Sequence, residues 1–123
     1  MTKPQPGIGG ARSIVWSSWH FPLIIGGDYR GVGPVWYSVL CFTVIVTGLG
    51  FLTAWVRLKS GSVWPAVLAH ASHNLFIQSI FDPMTRHTPM TGYVLGEFGA
   101  GLALALTVVA WICWRKRGVL AKQ

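Results

Sequence analysis

Four apolar stretches, residues 13–25, 34–56, 63–81 and 92–114, hold most of the chain, and nearly all of its charge lies between them. A hydrocarbon core of about 30 Å takes about 20 helical residues to cross. Residues 34–56 and 92–114 meet that length. Residues 63–81 are close to it but carry His70, His73, Asn74 and Gln78, while residues 13–25 are short and contain His20 and Pro22. Backbone N–H and C=O groups in lipid must bond within the segment, so spans of this kind are helices. The expected fold is therefore all-α, a polytopic membrane bundle of about four transmembrane helices.

Charge placement gives the orientation. Only three carboxylates accompany ten Lys and Arg, and the cations form short clusters between apolar runs instead of a polar, basic face. A nucleic-acid partner is excluded on that ground. Cytoplasmic loops of membrane proteins are enriched in Lys and Arg. With both termini cytoplasmic, Lys3, Arg12, Arg57, Lys59, Arg115, Lys116, Arg117 and Lys122 fall inside, and only Arg30 and Arg86 outside. The expected location is the cell membrane, multi-pass, in contact with the lipid bilayer. No small-residue cleavage site follows a single apolar region near the N-terminus, so a cleaved signal peptide is not expected. The connections are short and built from turn formers such as Gly26-Gly27-Asp28 and Ser60-Gly61-Ser62, and residues 1–123 read as one domain. Cys41 and Cys113 lie inside apolar runs, where packing is the expected role. Gly92 and Gly96, at GxxxG spacing, predict close packing of the fourth helix against another.

Polar groups inside the spans carry the functional information, because each is costly in hydrocarbon. The first and third segments run the same way across the bilayer in this topology. His20 lies eight residues beyond Arg12 and His70 eight beyond Ser62. At 1.5 Å per residue both sit about 12 Å into the membrane from the cytoplasmic side. Trp16 and His20 are four apart, as are His70 and Asn74, so each pair shares a helix face. A cavity lined by His20, His70 and Asn74 is the result, with His73 flanking it as a further member or as a donor to a neighbouring carbonyl. On an unbroken fourth helix, Glu97 lies near the outer end, more than about 10 Å in depth from the histidine pair. A structural role near the outer interface is expected for it.

These residues resemble a known family, the CAAX protease and bacteriocin-processing enzymes. Trp16-Ser17-Ser18-Trp19-His20, followed by Phe21-Pro22, looks like the family's FxxxH motif with Trp in place of Phe. His70-Ala71-Ser72-His73-Asn74 looks like its HxxxN motif, and Gly96-Glu97-Phe98-Gly99 is similar to a feature at the start of the last helix in bacterial members. The resemblance implies an intramembrane endopeptidase acting on membrane-associated peptides. His20 and His70 would orient water or hold a divalent metal such as zinc, and Asn74 would stabilise the oxyanion. Family members are larger bundles of about eight helices that carry a further motif, EExxxR, whose glutamate activates water. No Glu-Glu pair occurs in these 123 residues. The chain thus resembles the C-terminal half of such an enzyme, for which additional helices from a longer chain or a partner are expected. Two other readings stay open: a non-catalytic scaffold or immunity protein of the same fold, and a haem protein with His20 and His70 as axial ligands.

Overall fold

The computed structural model describes residues 7–29, 31–86 and 88–118. Lys3, Arg30 and Lys122 of the charge count lie outside the described residues. The described residues form helices joined by turns, with no strand among them.

The organising element is α3, Val35–Ser60. It starts behind Pro34, whose ring and missing N–H prevent a helix from extending through it. It stops at Gly61, which takes φ +67° and donates its N–H to the Arg57 carbonyl at 3.0 Å. Arg57 and Lys59 sit in the last turn, where cations complement the helix dipole. Among the described residues α3 is the one helix long and apolar enough to cross a membrane alone. Only 22% of its most apolar window is buried, which is not the burial of a soluble protein's core helix. Its hydroxyls bond back into the helix: Thr43 to the Val39 carbonyl at 2.7 Å, Thr47 to Thr43 at 2.7 Å and Thr53 to Leu49 at 2.9 Å. Such bonds spare a hydroxyl the cost of facing lipid without a partner.

The other three apolar stretches are helical but interrupted. The first divides into α1, Gly7–Ser18, and α2, Phe21–Gly26, at the turn Trp19-His20. Pro22 lacks the N–H that would continue the ladder. The third is α4, Trp64–His73, running directly into a π-helical segment, Asn74–Phe81, and the short α5, Asp82–Met84. In the fourth, the expected helix from Gly92 onward is corrected. A single turn, α6 Thr91–Val94, is followed by a non-helical stretch before α7, Ala100–Arg115. Leu95 is extended at φ −104°, ψ 161°, Gly96 takes φ +81° and Gly99 is extended at φ −95°, ψ 142°. Positive φ is open to glycine because it has no Cβ, and Gly96 therefore marks a break and not a helix–helix contact.

Close helix packing exists, but its glycine is on α3. A Cβ on Gly48 would lie 2.8 Å from both the Cβ and the carbonyl oxygen of Leu106, so α3 and α7 approach backbone to backbone there. Ile45 and Leu49 of α3 pack with Ala103 and Leu106 of α7 to form the core. Ring contacts advance together along α3 and along the segment from α6 into α7, from Tyr37–Tyr93 (5.3 Å) through Phe42–Phe98 (5.9 Å) to Phe51–Trp114 (6.2 Å). The two helices are therefore parallel, and their basic ends coincide. There Lys59 lies over Trp55 at 4.7 Å, Arg115 over Trp111 at 5.2 Å and Arg117 over Trp114 at 4.1 Å. Helix α1 runs against α3 in the opposite sense, with Arg12 and Trp16 beside Leu49 and Thr53, and His20 beside Phe42. Cys41 and Cys113 are free and buried. Large side chains such as Leu40, Leu68, Leu104 and Trp111 remain exposed, as befits a lipid-facing surface.

Candidate active site

His20 sits at the turn that breaks the first stretch, where the backbone leaves α1 and Phe21-Pro22 begins α2. Its Nδ1 lies 3.3 Å from the Trp16 carbonyl, and its ring packs on Trp16 at 4.4 Å and on Phe42 at 5.3 Å. Trp16 also meets His70 of α4 edge-on at 6.3 Å. One indole thus contacts the two imidazoles that the sequence paired by depth. His70 and Asn74, one turn apart, both face the cavity, Asn74 as the first residue of the π-helical segment. The wider π turn carries Gln78 onto the same side.

The cavity has a volume of about 480 Å³, and its polar lining includes His20, His70, His73, Asn74, Gln78 and Glu97. On an unbroken helix Glu97 would lie more than about 10 Å in depth from His20 and His70, and it lines the same cavity from a segment that is not helical. In the structure its Oε1 is 3.7 Å from His73 Nε2, and both side chains are nearly buried. The Tyr29 hydroxyl donates to Glu97 Oε2, and the Gln78 amide donates to Glu97 Oε1. The cause is the break at Gly96, which turns the following residue inward instead of continuing a helix. His73, for which a donor role to a neighbouring carbonyl was the other expectation, lines the cavity. Tyr29 lies in the turn after α2 and carried no sequence signal, whereas Glu97 carried two: it is the lone carboxylate of its apolar stretch, and glycines stand at 96 and 99.

A second cavity of about 470 Å³ adjoins the first and shares Asp28, Tyr29, Gln78 and Glu97 with it. A zinc site takes three protein ligands or more. Among the described residues no group of three His, Cys, Asp or Glu side chains is placed to hold a metal. With no such group of three among the described residues, no chemical step is derived through a metal.

Helices with exposed aliphatic faces and a basic, aromatic end surround a pocket lined by imidazole, amide and carboxylate groups. The sequence profile of the type II CAAX prenyl endopeptidase Rce1-like family matches residues 7–76, and the chain belongs to that family. The matched stretch contains His20, His70, His73 and Asn74, while Glu97 lies beyond it. No curated protein and no solved structure matches the chain.

Proposed function

We propose that the protein is an intramembrane endopeptidase of the CAAX-processing type, cutting a peptide bond of a prenylated, membrane-anchored substrate. The observation that carries this reading is the meeting of His20, His70 and Asn74 on one cavity inside the stretch that matches the family. Peptide hydrolysis needs an oriented water and a donor for the oxyanion that forms as the carbonyl is attacked. His20 and His70 orient the water, and the Asn74 amide donates to the oxyanion. The chain lies multi-pass in the cell membrane with both termini cytoplasmic, so that the cavity receives substrate from the cytoplasmic leaflet where prenyl groups anchor. Additional helices complete the lining on the side where α1 and α4 leave polar groups unshielded, since lipid cannot satisfy them. The test is cleavage of a fluorogenic farnesylated CAAX peptide by the full chain in phosphatidylcholine vesicles. The wild type cleaves it, and His70→Ala lowers kcat by about 10²-fold or more. Equal rates for the two proteins overturn the assignment of His70.

A further inference from the structure

We infer that Arg12 binds the free C-terminal carboxylate of the substrate and so sets which peptides the site accepts; the inference rests on the peptidase reading. A groove of about 260 Å³ lies between α1, α3 and α4, with Arg12 and Trp16 on the α1 side, Thr53 on α3 and His70 on α4. Trp16 and His70 line the larger cavity as well, so the groove opens beside the histidines. Arg12 is exposed, and among the described residues it is the one Lys, Arg, Asp or Glu on the groove's lining. The chain has three side-chain carboxylates, Asp28, Asp82 and Glu97. All three line the cavity of about 470 Å³ and none lines this groove, so the protein's own acids are not placed to neutralise Arg12. A guanidinium presents its N–H donors in a planar fork that matches the two oxygens of a carboxylate. An anion carried by the substrate supplies the missing charge.

The spacing fits a short peptide tail. Arg12 and Trp16 stand one turn apart on α1, about 6 Å along its axis. Trp16 in turn touches His20 at 4.4 Å and His70 at 6.3 Å. From Arg12 to His20 is eight residues, about 12 Å of helical rise. Three extended residues span about 10–11 Å, and three residues follow the cysteine of a CAAX end. A carbonyl held at the histidines and a carboxylate held at Arg12 are therefore the right distance apart to belong to one such tail. Val46 and Leu49 of α3 line both spaces and give the tail a continuous apolar floor. Arg12 meets the end of the substrate and not the reacting atoms, so its effect falls on binding.

The test compares three farnesylated peptides, each offered to the full chain in phosphatidylcholine vesicles: a CAAX peptide as the free acid, the same peptide as its C-terminal amide, and one lengthened by a single residue. The wild type is expected to favour the acid over the amide by about 10–10²-fold in kcat/KM, the worth of hydrogen bonds to a charged group, and to cut the longer peptide at the same bond as poorly as the amide. Arg12→Gln raises KM for the acid by about that factor, leaves kcat within about twofold and no longer tells acid from amide. Arg12→Lys, which keeps the charge without the fork, retains part of the preference. If the wild type cleaves acid and amide equally and His70→Ala is inactive, the inference is overturned and the peptidase reading stands. An Arg12→Gln protein that still prefers the acid as strongly as the wild type overturns it too, as does one that loses rate equally on both peptides. If the wild type cleaves none of the three, both readings fall.

Discussion

Asn74 and Tyr29 show how differently two polar side chains of one cavity are encoded. Asn74 follows His70 by four residues, so its place beside the histidine is fixed by helical periodicity. On the proposed mechanism Asn74 is the oxyanion donor, so Asn74→Ala is expected to lower kcat by about 10²–10³-fold with little change in KM, read from cleavage of the farnesylated peptide. Tyr29 has no periodic relation to anything it touches. Its ring packs against Phe42 at 6.0 Å and Phe98 at 5.1 Å, and its hydroxyl reaches Glu97 across 68 residues of sequence. Tyr29→Phe keeps the ring packing and loses the hydrogen bond, for an expected cost of about 1 kcal/mol in denaturant unfolding measured in detergent. His20, His70 and Asn74 were legible because motif spacing is local. The pairing of His73 with Glu97 was not, since depth along an ideal helix is a poor measure once that helix breaks.

Helix breaks decide the site at the next scale. Apolar length marked all four stretches, and α3 alone runs through its whole stretch without interruption. Pro22 and the glycines at 96 and 99 were visible as helix-breaking residues, but a proline or glycine inside an apolar run is often accommodated in membrane helices. Which ones break the helix depends on what the freed backbone can meet. Gly96→Ala tests this: a Cβ there would sit 3.0 Å from Asp82 Oδ1 on a backbone at φ +81°. The strain is about 1–2 kcal/mol, and the expected result is a folded protein with a lower midpoint in thermal unfolding. Gly48→Val acts on packing alone. With the Leu106 carbonyl oxygen at 2.8 Å from even a first carbon, α3 and α7 must part, at an expected cost of about 1–3 kcal/mol in thermal unfolding.

Across the whole molecule the parallel course of α3 and α7 brings the basic pair Arg57 and Lys59 level with Arg115 to Arg117. The two clusters lie at one end of the bundle, which on the proposed topology is the cytoplasmic face. Ser60→Cys and Gly118→Cys, each made in a chain with Cys41 and Cys113 replaced by Ala, are expected to react with a membrane-impermeant maleimide from one side, and Met90→Cys from the other. Labelling of Ser60→Cys and Gly118→Cys from opposite sides would contradict the topology. Helicity, apolar run length, the basic clusters and the two histidine motifs were set by the chain's own order of residues, since hydrophobicity, charge and i, i+4 spacing act over a few residues at a time. The inward turn at Gly96, the indole shared by His20 and His70, and the contact of Glu97 with Tyr29, His73 and Gln78 were decided by tertiary packing. Each joins elements far apart in sequence, and the energy that fixes it comes from partners that no local pattern names.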